Sequence, residues 1–328
     1  MRKKIAFIAP VGEWWPKILY RDLVDMLTKE YPEFEYFLVS SKKEWLQLHF
    51  FNNQYDVIIS SIPFFWKPPK CTYIIQQHGL YKNDRWFTSI AKLLNWLYPY
   101  NNRFSKIVLY PSEFLKRYYN SNHQDQRVIY NIFQVPKNIV PKEYAWAKKS
   151  LIFTTVTNFH FYDKARWITD ICSKLWNLSV GKKITYYICG WGRYKQKIAS
   201  EIKKLAIPSN VDVIFLWNIN RKEVLDLLKK TDIFLYSTFQ ETFGMAIIEA
   251  MSFWIPVILN NYTLFYELYD DDFIAKDDQD FVSTLERLID DKQYYRLYME
   301  KSKINIQKFN PNLIVSNWID LFRSLLWS

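Results

Sequence analysis

The amino-acid sequence predicts an α/β protein made of two Rossmann-like, doubly wound domains. Its 328 residues exceed the ~250–300 over which a single hydrophobic core keeps growing. Short apolar runs of β-forming residues alternate with longer segments of helical periodicity, which is typical of βαβ units on a parallel sheet. A proline-containing stretch between residues 133 and 150 interrupts this alternation, which then starts again. These observations predict two α/β units joined by a linker.

The first domain is predicted to span residues 1–140 and to hold six strands. Its first strand, 4–9, is shorter than the ~7–15 apolar residues of a signal peptide. Ser112 stands at the start of a helical run, which indicates a helix N-cap. The boundary lies where two prolines, Pro136 and Pro141, exclude a continuous helix or a central strand. The other predicted strands are 34–40, 56–60, 72–76, 106–109 and 127–130.

The second domain is predicted to span residues 141–310, and residues 311–328 to form a C-terminal helix that packs back on the first domain. The chain from residue 278 onward reads as helical, with a break at Pro311. Doubly wound sheets bind ligands outside the carboxyl ends of their strands, so functional residues are expected in the strand-to-helix loops. Strands are predicted at 151–157, 184–189, 211–216, 232–236 and 256–259, and helices at 164–179, 193–206, 220–230 and 244–253.

Composition and charge limit the classes of function. Hydrophobic residues make up 49% and charged residues 23% of the chain, which is ordinary for a globular protein and excludes disorder. The net charge of +11 is uneven: residues 1–150 hold 22 Lys and Arg against 12 Asp and Glu, whereas residues 151–328 hold 22 against 21. The basic first half predicts an anionic partner, whether nucleic acid, a phospholipid surface or a charged acceptor.

No metal site, disulfide framework or membrane-spanning segment is expected. The four histidines and three cysteines are scattered, without the spacing of zinc ligands. The longest uncharged stretch, 250–266, has 17 residues and contains Pro256, whereas a spanning helix needs about 20 mainly apolar residues. We therefore expect a cytoplasmic protein, with peripheral contact to an anionic membrane left open.

The segment 239–257 carries the strongest chemical signal. It holds Glu241 and Glu249, which seven residues separate, and Gly244 at a predicted turn from strand to helix. The free backbone amides of Phe243, Gly244 and Met245 at a helix N-terminus suit a phosphate, and a glycine lets that phosphate approach the backbone closely. Both carboxylates can then face the hydroxyl groups of the same ligand.

This segment resembles family 4 of the retaining glycosyltransferases, whose signature is Glu, seven residues, Glu, with Phe-Gly after the first and Ala-Met after the second. The resemblance continues in the family's order over most of the chain. It implies the GT-B architecture, in which two Rossmann-like domains face a central cleft. It also implies metal-independent transfer of a hexose from a nucleotide-sugar donor, such as a UDP- or GDP-sugar, with retention of the anomeric configuration and no other cofactor. The further matching positions are 77–79, 110–116, 128–131, Lys164, 189–192 and Glu267.

The resemblance also assigns roles to individual residues. Glu241, His78 and Lys164 are the implied catalytic residues: Glu241 contacts a sugar hydroxyl, His78 reaches the sugar from the first domain, and Lys164 neutralises the diphosphate. Glu249 is implied to bond the ribose of the donor. The other implied donor-binding residues are Phe243, Gly244, Met245, Gly190, Gly192, Arg166 and Glu267.

Most of these residues also have an ordinary structural explanation. Gly190 and Gly192 equally fit a plain strand-to-helix turn. Lys164 fits a solvated helix residue, and His78 fits a satisfied interior histidine. The acidic clusters at 270–272 and 277–280 fit helix caps better than the Asp-x-Asp metal site of other glycosyltransferases.

The chain departs from the family at several donor-loop positions. The family usually carries an arginine near residues 157–158 and glycines at 165, 254 and 263–264. A missing glycine limits how closely backbone amides approach a phosphate, and a missing arginine removes a cation. We therefore expect Lys164 or Arg166 to supply the positive charge, in a donor loop of different construction.

The acceptor side is predicted on the basic first domain, around Gly12, Trp14 and Trp15. Aromatic rings beside cations suit glycans, lipid interfaces and nucleic acid alike. The stretch 86–98 is amphipathic, which fits either membrane docking or core packing. A glycan or lipid-linked acceptor is the leading interpretation, and the alternative is a basic nucleic-acid-binding protein or an inactive relative of the glycosyltransferases.

Overall fold

The computed structural model describes residues 2–11, 15–41, 43–44, 54–65, 68, 70–80, 88–134, 148–176, 178 and 180–327. The chain divides into unit 1, which is Met1–Gln134 with Phe309–Ser328, and unit 2, which is Val135–Lys308. Each unit contains a parallel sheet of six described strands, with helices between several successive strands. These two sheets confirm the predicted fold class of two Rossmann-like α/β units.

Unit 1 begins with a strand that lies inside its sheet. Its elements are β1 (Lys3–Ile8), α1 (Trp15–Glu30), β2 (Phe34–Val39), β3 (Val57–Ser60), β4 (Thr72–Gln76), α2 (Thr88–Asn102), β5 (Ile107–Tyr110), α3 (Glu113–Tyr119) and β6 (Gln126–Val128). Neighbouring strands are parallel in the order β2-β1-β3-β4-β5-β6, with Ile5 of β1 opposite Val57 of β3. The strands β3 and β5 are buried throughout, which explains why they read as continuous apolar runs. Ser112 caps α3 as predicted, since its Oγ accepts a hydrogen bond from the Leu115 N–H at 3.2 Å.

Unit 2 has the strand order of a doubly wound dinucleotide-binding fold. Its first part is β7 (Ser150–Asn158), α4 (Tyr162–Ala165), α5 (Trp167–Leu175), β8 (Lys183–Trp191), α6 (Lys195–Ile202), β9 (Val211–Trp217) and α7 (Arg221–Leu228). Its second part is β10 (Ile233–Tyr236), α8 (Met245–Ser252), β11 (Val257–Asn260), α9 (Thr263–Leu268), β12 (Ile274–Ala275), α10 (Asp278–Asp290) and α11 (Lys292–Asn305). The order β12-β11-β10-β7-β8-β9 places the topological switch point between β7 and β10.

The last helix, α12 (Pro311–Leu326), belongs to unit 1. Asn310 caps its start, and Pro311 occupies the first turn, where its missing N–H has no intrahelical partner to lose. Trp318 and Phe322 are buried on its inner face, with ring centroids 5.5 and 6.1 Å from that of Phe7 in β1. The helix therefore completes the hydrophobic core beneath the first sheet.

The structure corrects one predicted helix and adds one strand. The helix predicted over 164–179 begins at Tyr162 and divides at Arg166, where α4 ends and α5 begins. The indole N–H of Trp167 donates to the carbonyl of Lys164 at this division. The strand β12 was not predicted, since two residues are too few to form a hydrophobic pattern. Within the described ranges, no helix combines the length and apolar character that a bilayer crossing needs.

Candidate active site

A lysine and a buried carboxylate meet at the switch point of unit 2. The carboxyl ends of β7 and β10 are neighbours there, although long connections separate these strands in sequence. Lys164 follows β7 and lies in α4, and Glu241 follows β10 in the loop before α8. Lys164 Nζ is 3.1 Å from Glu241 Oε2, with the two side chains 25% and 10% exposed. Two predicted catalytic residues are thus in direct contact.

Further hydrogen bonds hold the Glu241 carboxylate. Tyr236 donates its hydroxyl hydrogen to Oε2 at 2.8 Å, and the Thr242 N–H donates to Oε1 at 2.9 Å. Burial by itself acts to raise the pKa of Glu241, but the Lys164 ammonium and these hydrogen bonds outweigh it, so the pKa lies below its usual value. Glu241 is therefore ionised at neutral pH, where it can accept hydrogen bonds from hydroxyl groups.

The chain enters α8 through a glycine in the left-handed conformation. Gly244 has φ 83° and ψ 47°, and a Cβ at this position would lie 2.8 Å from the Tyr269 hydroxyl oxygen. That hydroxyl donates to the carbonyls of Phe243 and Gly244, at 3.0 and 3.2 Å. The side chain of Phe243 is buried and that of Met245 is half-buried. What this turn can offer to a ligand is therefore the backbone N–H groups that begin α8.

Glu249, on the second turn of α8, is paired with an arginine that the sequence did not single out. Arg221 Nε is 3.3 Å from Glu249 Oε1, and the Glu249 side chain is 3% exposed. Arg221 is the first residue of α7, whose start is fixed by a capping box between Asn220 and Glu223. A cation in the first turn of a helix opposes the helix dipole, and this signal could have identified Arg221 from the sequence.

Gly190 and Gly192 let two loops of unit 2 approach closely. Their φ angles are 156° and 142°, and a Cβ would lie 2.1 Å from the Thr157 carbonyl oxygen at the first and 2.2 Å from the Phe159 carbonyl carbon at the second. The Phe159 N–H donates to the Trp191 carbonyl at 2.9 Å across the same contact. Both glycines are thus required for packing, whatever their role towards a ligand.

The remaining donor-side predictions lie on neighbouring elements of unit 2. Arg166 stands between α4 and α5 with its side chain exposed. Glu267 lies on α9, which follows β11, and is half-buried. Arg166 thus follows β7, one of the two strands at the switch point, and Glu267 follows β11, which pairs with β10.

His78 lies in unit 1, two residues after the end of β4. Its Nε2 is buried and has no hydrogen-bond partner among the residues that the structure describes. Its ring packs edge-on against Tyr20, with centroids 6.2 Å apart. Burial lowers the pKa of His78 to about 4, so the imidazole is neutral under physiological conditions. The predicted acceptor-side residues Gly12 and Trp14 lie outside the described residues, as does the side chain of Trp15, whose backbone begins α1.

The acidic clusters of unit 2 act as caps, as predicted. Asp270 Oδ1 accepts from the Asp272 N–H at 3.1 Å, and Asp277 Oδ1 accepts from the Asp280 N–H at 2.8 Å at the start of α10. Lys301 pairs with both Asp270 and Asp272. Across the described part of the chain, no group of three or more His, Cys, Asp or Glu side chains is arranged to hold a metal ion.

Several solved structures share this fold at low sequence identity. HepE of Anabaena, solved with UDP and glucose, is 14% identical with a TM-score of 0.73, over 98% of this chain and 100% of that chain. Sucrose-phosphate synthase of Thermosynechococcus elongatus is 14% identical with a TM-score of 0.71, over 99% of both chains. The lipopolysaccharide outer core galactosyltransferase WaaB is 18% identical with a TM-score of 0.66, over 98% and 100%. These similarities, with the two parallel sheets, show the GT-B fold.

The family assignment comes from sequence. No curated protein matches the chain as a relative. The family model described as glycosyl transferases group 1 matches residues 137–305, which is more than half of the chain and includes Lys164, Arg221, Glu241 and Glu249. The chain therefore belongs to the glycosyl transferases group 1 family.

Proposed function

We propose that this glycosyltransferase moves a hexose from a nucleotide-sugar donor to an acceptor with retention of the anomeric configuration. The observation that carries the proposal is the Lys164–Glu241 contact at the switch point, in the loop that leads into α8. A diphosphate needs a cation and N–H donors, and a sugar needs hydrogen-bond acceptors. This edge of the sheet offers all of them. HepE, solved with UDP and glucose, supports a donor with the same two parts, a nucleoside diphosphate and a sugar.

Lys164 and the first N–H groups of α8 are proposed to hold the donor diphosphate. When the bond between the anomeric carbon and the phosphate oxygen breaks, negative charge grows on the departing diphosphate. An ammonium group and helix amides already fixed in place stabilise that charge without reorganising solvent. To reach a phosphate the ammonium must share its contact with Glu241, so donor binding is expected to lengthen the present 3.1 Å distance.

The carboxylates are proposed to recognise the hydroxyl groups of the donor. Glu241, ionised by its surroundings, accepts hydrogen bonds from the transferred sugar. Glu249 accepts from the ribose, and Arg221 at 3.3 Å fixes the direction of its carboxylate. The other residues proposed to line the donor site are Phe243, Gly244, Met245, Gly190, Gly192, Arg166 and Glu267.

Retention follows if the acceptor attacks on the face from which the diphosphate leaves. The acceptor oxygen then forms the new bond to the anomeric carbon, and its proton passes to the departing phosphate oxygen. In this proposal the imidazole of His78 makes a hydrogen bond to the transferred sugar. The imidazole is neutral because its pKa is about 4. Neither a metal ion nor another cofactor takes part.

We also propose that the acceptor is a glycan or is lipid-linked, and that the protein meets it at an anionic membrane surface. The outer face of α2 supports it, because Trp96 is 61% exposed and its ring stacks on Tyr100. Interfacial tryptophan and tyrosine beside cations favour the headgroup region of a bilayer, and Lys92 is exposed on the same helix. The family match favours this transferase over the nucleic-acid-binding alternative. The free thiols of Cys71, Cys172 and Cys189 support a cytoplasmic location.

Donor binding is tested by thermal denaturation with UDP-, GDP-, ADP- and dTDP-glucose. A donor present at 100 times its Kd adds about 2.7 kcal/mol to the stability, which raises Tm measurably. Glu249→Gln should abolish the rise, whereas Glu300→Gln, at an exposed carboxylate on α11, should leave it intact. If no nucleotide sugar raises Tm, the proposal is wrong.

Retention is tested separately once a donor has been identified. The first sugar product, formed by transfer or by slow hydrolysis, is followed by ¹H NMR at the anomeric proton. An α-configured product from an α-linked donor supports retention, and a β-configured product contradicts it. Activity that persists in chelator supports the metal-independent course.

A further inference from the structure

Unit 1 contains a cavity of about 960 Å³ that is open to solvent. This volume lies at the upper end of the ~300–1,000 Å³ typical of ligand pockets. The cavity lies between the C-terminal half of α2 and the loop 120–125, which follows α3. The residues that line it include Gln77, Asn102, Arg103 and Tyr119.

Carboxamides dominate the polar lining. A carboxamide donates and accepts hydrogen bonds at once, which matches a pair of neighbouring hydroxyl groups. Gln77 is only 1% exposed and donates from Nε2 to Asn102 Oδ1 at 3.3 Å. Its Oε1 is buried and accepts no hydrogen bond from any residue that the structure describes. A buried acceptor of this kind favours a ligand that brings hydroxyl donors. The six carboxamides in the lining are Gln77, Asn95, Asn102, Asn120, Asn122 and Gln124.

The wall formed by loop 120–125 is fixed in advance of any ligand. The ring nitrogens of His123 lie 2.7 Å from the Asp125 carbonyl oxygen and 2.9 Å from the Ser105 carbonyl oxygen. Gln126 Nε2 donates to the carbonyls of Ser121 and His123, at 2.7 and 3.0 Å. A loop held by four such contacts loses little conformational freedom when a ligand binds, which raises affinity.

Two aromatic side chains are anchored by their hydroxyl groups at the cavity. Tyr119 donates to the Gly79 carbonyl at 2.6 Å, and Tyr98 donates to the Ser61 carbonyl at 3.2 Å. Because its hydroxyl is engaged elsewhere, what the half-buried Tyr119 side chain gives the cavity is the apolar surface of its ring, whereas Tyr98, only 2% exposed, gives almost none. Apolar ring surface beside convergent amides is the combination that packs the C–H face of a sugar while bonding its hydroxyls.

The charge of the lining is positive. Arg103 and Lys106 are both exposed at the cavity. Its one lining carboxylate, Asp125, is already bonded by both Nε and Nη2 of Arg127, each at 2.8 Å. A ligand therefore meets two cations and no carboxylate whose charge is uncompensated. Two cations are enough to bind a carboxylate on a sugar, whereas nucleic-acid binding depends on many more phosphate contacts.

We propose that this cavity binds an anionic glycan, a segment of linked sugars that carries carboxylate groups. The site belongs to unit 1 alone and needs neither donor nor transfer. Its hydroxyl contacts come from Gln77 and Asn102, its ring contact from Tyr119, and its carboxylate contact from Arg103. Glycan binding at this cavity does not depend on the transferase chemistry, so either can be disproved without the other.

Binding is measured by isothermal titration of the full-length protein with tetragalacturonate, in the absence of nucleotide. We expect saturable binding that Asn102→Ala and Arg103→Ala each weaken about ten-fold, since each removes a hydrogen bond or ion pair to the ligand. Lys29→Ala is the matched control, because Lys29 is an exposed cation on α1 of the same unit and does not line the cavity. It should bind as the wild type does, and circular dichroism confirms that each variant is folded.

Two further probes test the ligand class. Maltotetraose, which has the hydroxyls without the carboxylates, should bind at least ten-fold more weakly than tetragalacturonate; equal affinity overturns the assignment of charge. A hexanucleotide RNA that binds more tightly than tetragalacturonate, and loses affinity in Arg103→Ala, reassigns the cavity to nucleic acid. No binding of either tetrasaccharide, or equal loss of affinity in Lys29→Ala, overturns the proposal.

Discussion

Replacing Lys164 by methionine is expected to change how the stability of unit 2 depends on pH. In the wild type the pKa of Glu241 is depressed, so the contribution of the ion pair is complete above pH ~4.3 and is lost as the pH falls through the folded-state pKa. Without the ammonium, burial is the largest remaining influence and acts to raise the pKa of Glu241, against the hydrogen bonds from Thr242 and Tyr236, so we expect a pKa above its usual value. The folded variant then carries an uncompensated charge at neutral pH, so its stability falls as the pH rises from about 4 to 7.

The distance in the structure sets the magnitude. At 3.1 Å and an effective dielectric constant of ~20, Coulomb's law gives an attraction of about 5 kcal/mol. Desolvation of the Glu241 side chain, which is 10% exposed, opposes much of that attraction, and the 25% exposure of Lys164 screens it further. We therefore expect Lys164→Met to lower the free energy of unfolding by about 2 kcal/mol at pH 7 and by less at pH 4, where Glu241 of the variant is protonated.

The assay is urea unfolding followed by circular dichroism at pH 4, 5, 6 and 7. The four proteins are wild type, Lys164→Met, Glu241→Gln and the double variant, with Lys222→Met on the surface of α7 as a control for loss of a lysine. The coupling energy of the cycle should be about 1–2 kcal/mol at pH 7, and the pH dependence should disappear when Glu241 is glutamine. A loss of stability in Lys164→Met that stays constant from pH 4 to 7 would refute the reasoning.

Three other expectations concern single positions. Gly244→Ala should lower the stability by about 1–3 kcal/mol, because φ is 83° and the new Cβ would meet a tyrosine hydroxyl at 2.8 Å. Gly181→Ala, where nothing lies within 4 Å of a Cβ, should be near neutral, and equal Tm changes would contradict this. The ring of His78, observed by NMR with ¹⁵N-histidine and assigned with His78→Gln, should titrate near pH 4 because burial lowers its pKa to about 4; a midpoint near 6.5 would show that it is solvated. Arg221→Met should raise the donor KM about ten-fold with a smaller change in kcat, since Arg221 orients Glu249; a similar KM in Lys222→Met and Arg221→Met would remove that role.

Most strands were predictable because the local sequence shows that their side chains are buried. In β3 and β5 every side chain is buried, so each strand is a continuous run of mainly apolar residues that follows a charged residue. The division of a helix at Arg166 was not predictable. The division depends on the hydrogen bond from the indole of Trp167 to the Lys164 carbonyl, and the hydrophobic periodicity of the sequence does not predict that bond.

The partners of the candidate site residues were also beyond the sequence. Arg221 and Glu249 are far apart in the chain and meet only because α7 and α8 pack together. Tyr236 and Tyr269 read as ordinary core residues of a strand and a helix end, yet their hydroxyls hold Glu241 and the Gly244 turn. A hydrophobic pattern records that a tyrosine is buried and does not record what its hydroxyl bonds. The roles of Glu241, Glu249 and Lys164 towards a donor stay predictions.

Because α12 returns to unit 1, the first unit to be synthesised is the last to be completed. Residues 1–134 emerge from the ribosome early. Trp318 and Phe322, which pack on Phe7, emerge almost two hundred residues later. Unit 2, which is continuous in sequence, can finish folding before that. Until α12 arrives, the apolar face of β1 must be shielded in some other way. A nascent chain halted before residue 311 should therefore show a protease-resistant second unit and a protease-sensitive first one.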